Sequence, residues 1–529
     1  MARGYNRAVD EKAGWQPELE ELERRRALAR AMGGPEAVAR HRAAGKLTVR
    51  ERIEALVDDG SFHEIGSLAG VGEYREGRLV SFRPANFVMG LGRISGRLAV
   101  VGGEDFTVRG GSADGGGGAK WLYSERLAEQ WRLPLVRLID GTGGSVRTLE
   151  QMGRTYIPDN PGFATMVRLL GLVPVVSAIM GVAAGLPAAK AVAAHWTVMV
   201  KDTSQLFVAG PPVVRRALGE DLSKEELGGY HVHAVESGCV DNVAENEAEC
   251  LQLVRRFLSY LPSNVWEMPP RVPSEDDPER CEEELLSIVP RNRRRPYDIR
   301  RLLRLVFDRG SLFELSPGFG RSLVTALARA DGYPVGVMAN DPRHLGGSMD
   351  AAAAEKLMRF VDMCDTFHIP IVNFVDQPGF MIGLEAERRG TVRKGVRALF
   401  AVEQSRVPWL AIIVGRCYGV AGGGHIRHSG LSLRVAWPSA EWGSLPIEGG
   451  VEAAYRREIE AAPDPEAKKQ EIEDRLRRLR SPFLTAEAFG VEEIIDPRQT
   501  RPLVRRFAEM AQSVLRSQLG PRQVTGMRP

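Results

Sequence analysis

Apolar runs in this chain come in matched pairs. "LPLVRLI" (133–139) runs into "DGTGGS" (140–145), and "IPIVNFV" (369–375) runs into "DQPGFM" (376–381). Further on, "SAIMGVAAG" (177–185) and "AIIVGRCYG" (411–419) both end in small residues. Short continuous apolar runs bounded by Gly and Pro predict strands buried on both faces, as in a parallel sheet. Each half reads strand, loop, helix, strand, turn, helix, strand, turn, helix. That alternation predicts an α/β fold with parallel strands covered by helices. The longest apolar stretch, around "MVRLLGLVPVVSAIMGVAAGLPAA", is broken by Arg168, Pro174 and Pro187. It reads as helix, buried strand and turn, not as a membrane span.

The pairing reflects an internal duplication. Setting Gly332 on Gly96, an offset of 236, brings Asp341 onto Asp105, Gly346-Gly347-Ser348 onto Gly110-Gly111-Ser112, Lys356 onto Lys120, Pro370 onto Pro134 and Asp376 onto Asp140, without a gap. With the offset shortened to 234, Gly415 falls on Gly181 and Gly419 on Gly185. A repeat of this length is a whole domain, not a solenoid unit. "LPSNVWEMPPRVPSEDDPERCEEELLSIVP" has the proline and acidic content of a linker, so domains are expected at 1–268 and 269–529. A helical preface, "AAGKLTVRERIEALVDDGSF" (43–62), precedes the first core. A charged helix within 464–482 carries Arg475, Arg477, Arg478 and Arg480 as a solvated face or subunit contact.

Composition removes several classes. At 529 residues the chain exceeds one hydrophobic core. The 71 basic and 68 acidic residues give a net charge of +3, no basis for expecting nucleic acid or a membrane as partner. Cys239, Cys250, Cys281, Cys364 and Cys417 form no CxxC pair, and the histidines form no HExxH, so no metal site is expected. Unpatterned cysteines and an N-terminus without an apolar h-region point to the cytoplasm, or to the mitochondrial matrix in a eukaryote, although no clear transit peptide is visible. P-loop and GxSxG motifs are absent, and "GLGRISG" is followed by a strand, not a helix. His195, His231, His233, His344, His425 and His428 have no diagnostic spacing and are expected to be structural.

What remains is backbone chemistry. Small residues after a strand let a ligand oxygen approach main-chain NH groups closely. "DGTGGS" and "GVAAGLPAAK" in one half, and "DQPGFM" and "YGVAGGGH" in the other, offer up to four such concavities. Fixed NH dipoles aimed at developing negative charge make an oxyanion hole. For any one turn, helix–strand packing is the better explanation; recurrence of two turns in both halves favours function.

These residues resemble the carboxyltransferase (β) subunits of biotin-dependent acyl-CoA carboxylases, of the propionyl-CoA and methylcrotonyl-CoA type. The likeness runs from about residue 40 to residue 510. It is carried by "GKLTVRERIEALVDDGSF", "DFTVRGGS", "MVKDTSQLFVAGPPVV", "EELGGYHVHAVESG", "RFVDMCDTFHIPIVNFVDQPGF", "YGVAGGG" and "AWPSAEWGSLPIEGGVEAAY". The resemblance implies two tandem crotonase-like β-β-α superhelical domains. The N-terminal one would serve acyl-CoA and the C-terminal one carboxybiotin, and the N-domain of one subunit would face the C-domain of another. Carried over residue by residue, the enolate donors would be NH groups of Gly143 and Gly144, and the donors to the biotin ureido oxygen those of Gly419, Val420 and Ala421. Gly110, Gly111, Ser112, Ala183, Ala184 and Gly185 would complete the acyl-CoA side. Pro378, Gly379, Phe380 and Tyr418 would complete the biotin side. Implied partners are an α subunit with biotin carboxylase and biotin carrier domains, and further copies of this chain in a homohexameric core within an α6β6-type assembly.

The chain departs from the family pattern. Val420 replaces a glycine and Gly422 to Gly424 follow it; "GVAAGLPAAK" and "DGTGGSVRTLEQ" differ from the usual blocks. Alternatives are a biotin-dependent acyl-CoA decarboxylase using the same site in reverse, a biotin-independent crotonase-type hydratase or isomerase, and a non-catalytic scaffold subunit. A hydratase would want positioned carboxylates, and the loops offer few beyond Asp114, Asp140 and Asp376. Decarboxylation of carboxybiotin or of a malonyl-CoA analogue separates these classes. No methionine-flanked biotinyl lysine stands outside a carboxyltransferase block, so the chain is expected not to carboxylate anything alone.

Overall fold

The computed structural model describes residues 14–157, 162–293, 295–428 and 430–522. Residues 1–13, part of the segment read as lacking a secretory signal, lie outside the described residues. Two compact units form, each around its own eight-stranded sheet among the described residues. Of the described residues, the first gathers those up to Leu170 with Val175–Tyr230 and Val243–Arg255; the second gathers Gly171–Pro174, His231–Asn242 and those from Arg256 onward. The boundary expected after residue 268 falls within that last stretch. No helix among the described residues is long and apolar enough to cross a membrane.

In the first unit, helix α1 (Val49–Leu56) is followed by strands β1 (Phe87–Ile94) and β2 (Arg97–Glu104), helix α2 (Gly118–Trp131) and strand β3 (Leu135–Gly141). Strand β4 (Val175–Ala184), helix α3 (Leu186–Val192) and the short strand β5 (Gln205–Phe207) complete the core. β1 and β2 pair antiparallel; β2, β3 and β4 run parallel, with β5 continuing alongside the end of β4. Every residue of β3 and β4 is buried, as the unbroken apolar runs require of strands covered on both faces.

The second unit repeats this order with α4 (Ile299–Val306), β6 (Leu323–Ala330), β7 (Tyr333–Asn340), α5 (Ala351–Thr366), β8 (Ile371–Gln377), β9 (Trp409–Tyr418), the short helix α6 (Gly419–Gly423) and β10 (Glu441–Gly443). In α5 the buried residues Ala353, Ala354, Leu357, Phe360, Val361 and Cys364 recur at helical spacing, giving it one face for the sheet.

The duplication is visible bond by bond. In the first hairpin Phe87 faces Glu104, and in the second Leu323 faces Asn340, the same pairing at the offset of 236. Both hairpins close with two positive-φ residues, Ser95-Gly96 (φ 51° and 81°) and Asp331-Gly332 (φ 50° and 75°), the turn that suits the twist of paired strands. Asp58 accepts the amides of Ser95 and Gly96, and Asp308 those of Asp331 and Gly332.

The repeat also reaches further back than the register of 236 shows. The segment read as a preface to the first half has a counterpart: α1, capped by the Thr48 side chain, matches α4, capped by Asp298. The ion pairs Arg50–Glu64 (2.7 Å) and Arg300–Glu314 (2.6 Å) stand at equivalent places, offset by 250. The change from 250 to 236 reflects a two-stranded ribbon, Gly70–Arg75 with Arg78–Pro84, inserted in the first unit before β1.

Candidate active site

In each unit the strand-end aspartate is built into an irregularity of the sheet. Between β3 and β4, Ile139 lies opposite Ile179, but Gly141 lies opposite Ala183. Between β8 and β9, Val375 lies opposite Ile413, but Gln377 lies opposite Cys417. β4 and β9 therefore each carry two extra residues near their C-terminal ends, where open α/β sheets place ligands, and a carboxylate fills the bulge. Asp140 Oδ1 accepts the Val182 amide (3.2 Å), and Asp376 Oδ1 accepts the Arg416 amide (2.9 Å). Room exists because the facing residues are glycines: a Cβ on Gly181 would lie 2.1 Å from the Asp140 carboxyl, and one on Gly415 would lie 2.5 Å from Asp376 Oδ1.

The two aspartates are balanced differently. Asp140, fully buried, holds Lys46 (2.9 Å) and Arg52 (3.1 Å), and Arg52 also pairs with Glu247 (2.6 Å). Asp376 holds Arg416 (2.7 Å) and accepts from the Tyr297 hydroxyl (3.2 Å). Burial and the nearby Asp376 charge push the Tyr297 phenol well above its ordinary range, which keeps it a donor. Both carboxylates are thus committed to the scaffold of the turns that follow them.

The first turn leaves the Gly144 amide over. Thr142 donates its amide (3.1 Å) and hydroxyl (3.0 Å) to the Gly110 carbonyl, and the Ala113 amide donates to the Gly143 carbonyl (2.7 Å). Gly143 has φ +74°, and a Cβ there would meet the Ala184 carbonyl oxygen at 2.4 Å, so only glycine fits. Gly144 is exposed, faces open space, and its amide has no intramolecular acceptor among the described residues. Ser145 is tied down through Asp114: burial opposes its ionisation, but hydrogen bonds from Ser112, Arg109 and Ser145 hold this carboxyl below the usual range.

The neighbouring residues shape this turn more than they offer donors. The amides of Gly110, Gly111 and Ser112 go to the carbonyls of Phe106, Val108 and Arg109 within their own loop. Ala183 and Ala184 pair with Leu206 and Phe207 of β5, and the Gly185 amide goes to the Phe207 carbonyl (3.3 Å).

The second unit repeats the frame. The Met349 amide donates to the Gly379 carbonyl (3.0 Å), the bond made by Ala113 and Gly143 at the same offset of 236. Here, however, the Gly379 amide is taken by Gln377 Oε1 (3.0 Å). Pro378, Gly379 and Phe380 follow β8, with the Phe380 ring lying against Gly395. Tyr418, buried, pairs with Gly443 of β10; Gly419, with φ +61°, opens α6. Val420 is 66% exposed, and Ala421 is buried.

The candidate residues thus converge at the C-terminal ends of β3 and β4 in one unit and of β8 and β9 in the other. Sequence reasoning did not single out Lys46, Arg52, Arg416 or Gln377. Their roles depend on long-range contacts that spacing does not encode. No group of metal-ligating side chains occurs among the described residues.

Comparison with known proteins agrees in kind. The carboxyl transferase domain model matches residues 40–523. The chain is 36% identical over 508 residues to the propionyl-CoA carboxylase carboxyltransferase subunit of Haloferax mediterranei, covering 94% of this chain and 97% of that one. It is 34% identical over 504 residues to the methylmalonyl-CoA decarboxylase subunit alpha of Veillonella parvula, covering 92% and 94%. A solved structure of transcarboxylase 12S, a hexamer described with methylmalonyl-CoA and methylmalonic acid bound, superposes with a TM-score of 0.86 at 29% identity, covering 99% of this chain and 98% of that one. The chain belongs to the carboxyl transferase family, and its two sheets are the tandem crotonase-like domains of that fold.

Proposed function

We propose that this chain is the carboxyltransferase subunit of a biotin-dependent acyl-CoA carboxylase, moving a carboxyl group from carboxybiotin on a partner carrier protein to the α- or γ-carbon of an acyl-CoA. The observation that carries the reading is the Gly144 amide: a fixed donor at a strand end, unclaimed by the protein, on a turn whose shape demands glycine at 143. Such a donor stabilises an acyl thioester when negative charge develops on its oxygen as the neighbouring carbon loses its proton to the ureido nitrogen that has released the carboxyl group; the charge leaves that oxygen again as the carbon takes the carboxyl group up. Gly143 and Gly144 serve this role on the first unit. Gly110 to Ser112 and Ala183 to Gly185 wall the acyl-CoA side, their amides being mostly spent on the fold.

Carboxybiotin supplies the carboxyl group when a partner delivers it to the second unit. The main chain at Gly419, Val420 and Ala421 offers donors to the ureido oxygen, and Pro378, Gly379, Phe380 and Tyr418 line that side. The exposed Val420 side chain leaves the backbone approachable where the family pattern has glycine. Asp140 and Asp376 hold the turns and do not transfer protons.

The partner is an α subunit with biotin carboxylase and carrier domains, docking on a homohexameric core of this chain in the cytoplasm. A second reading, a biotin-dependent decarboxylase running the same site in reverse, is favoured by the Veillonella relative. Purified alone, the chain is expected to incorporate no labelled bicarbonate into any acyl-CoA and to give a blank biotin blot. Adding a biotinylated α subunit is expected to restore ATP-dependent carboxylation. Carboxylation without a partner would overturn the assignment.

A further inference from the structure

The two units differ beneath their first turns. In the first unit the positions under the turn are charged: Glu104 pairs with Lys190 (2.7 Å), and Arg137 pairs with Glu125 (2.7 Å) and donates to the carbonyls of Lys190 and Ala193. The equivalent positions of the second unit carry Asn340 for Glu104 and Asn373 for Arg137, at the offset of 236. Gln377 replaces Gly141, and His425 stands at the level of Ala191. All four are buried, and they bond to one another.

The orientation of this cluster is fixed by the backbone. Gln377 Oε1 accepts the Gly379 amide (3.0 Å), so its NH2 group faces His425 Nε2 (3.0 Å). Asn340 Oδ1 accepts the Asp376 amide (3.0 Å), so its NH2 group also faces His425 Nε2 (3.4 Å). Two NH2 groups on one ring nitrogen require that nitrogen to be a bare acceptor. A proton there would be repelled by both. On the other side Asn373 Nδ2 donates to the His425 carbonyl (2.8 Å); it also lies 3.0 Å from Nδ1, the nitrogen that carries the proton when Nε2 is bare, so that second contact is not a hydrogen bond. Burial pushes the imidazole down to about 4, so it stays neutral across the physiological range.

The geometry points to Gln377 and His425 as positioning residues for the biotin-side turn: His425 fixes the Gln377 carboxamide, which captures the Gly379 amide and sets the conformation of Pro378–Gly379–Phe380. The first unit has no such capture, because Gly141 carries no side chain. The duplication has therefore diverged at this position: the Gly379 amide is consumed to hold the shape of its turn, whereas no side chain at 141 captures its equivalent, the Gly143 amide. This assignment rests on the biotin-side role proposed above, but its structural half can be measured without any activity.

The test uses Gln377→Leu, His425→Leu and His425→Gln in the full chain. In the last variant a carboxamide oxygen replaces Nε2 as acceptor. Hydrogen exchange of the segment 374–382 reports the capture directly. Exchange is expected to speed up on the order of tenfold in Gln377→Leu and His425→Leu, as a buried hydrogen bond is lost, and to stay near wild type in His425→Gln. In the complex with a biotinylated α subunit, the two leucine variants are expected to raise the KM for the biotinyl carrier on the order of tenfold, with the KM for acyl-CoA unchanged. His425→Gln is expected to restore both values. Unchanged exchange in both leucine variants, or losses falling equally on both co-substrates without rescue, would overturn the inference. Absence of any carboxyl transfer by the wild-type chain would instead overturn the functional reading, leaving the exchange result to decide the capture.

Discussion

Gly144→Pro is expected to lower kcat by about two to three orders of magnitude, the usual cost of removing one oxyanion donor, while the protein stays folded. Gly144 is not in the positive-φ region and a Cβ at this position meets nothing within 4 Å, so a side chain fits here. Gly144→Ala keeps the NH and is expected to stay within a few-fold of wild type. On the biotin side Val420→Ala is expected to be mild, since that side chain is exposed, whereas Ala421→Pro deletes a donor and is expected to match the loss at Gly144. Steady-state kinetics with a reconstituted partner check the set. Near-wild-type rates for Gly144→Pro would remove its amide from the mechanism.

Asp140→Ala is expected to be the most destabilising single change at either turn. It strips the shared anion from Lys46 and Arg52, whose side chains are only 10% and 1% exposed, and leaves the Val182 amide without its acceptor. Breaking a buried pair from one side costs about 3–5 kcal/mol, on the order of 10 °C in the melting temperature of a unit this size. Asp376→Ala is expected to cost less, because Arg416 is 23% exposed and can reach water. Gly181→Ala is expected to mimic Asp140→Ala from the other partner, since its Cβ would displace the same carboxylate. Calorimetric scans of the three variants check the order. Equal melting temperatures for wild type and Asp140→Ala would show that the aspartate does not anchor the turn.

The repeated aspartate is legible in the sequence, but its purpose is not. Ungapped matches of Asp140 with Asp376 and of Gly181 with Gly415 reveal the duplication, yet only the structure shows that each glycine exists to admit the aspartate of the neighbouring strand. Buried strands, two glycine turns per unit and the domain-scale repeat follow from local patterning, because continuous apolar runs and turn residues act over a few positions. The second copy of the preface was missed because the inserted ribbon shifts the register from 250 to 236: Arg50, Asp58, Gly60, Ser61 and Glu64 match Arg300, Asp308, Gly310, Ser311 and Glu314 only at the longer offset. Hydrogen-bond assignment was equally hidden. Gly110, Gly111, Ser112 and Gly379 look like ligand-binding glycine-turn residues, but their amides are spent on Phe106, Val108, Arg109 and Gln377. Whether an NH is free depends on what folds against it, and that information lies far away in the chain.

The central claim is that the chain passes a carboxyl group between biotin and an acyl-CoA, and a single-turnover experiment tests it most directly. An α subunit is charged with labelled carboxybiotin, freed of ATP and bicarbonate, and mixed with this chain and a panel of short acyl-CoAs. The expected result is label appearing in an acid-stable carboxyl group on at least one acyl-CoA, with matching loss from biotin and strongly slowed transfer by Gly144→Pro. Label that stays on biotin, or leaves only as carbon dioxide with every acyl-CoA present, would contradict the account.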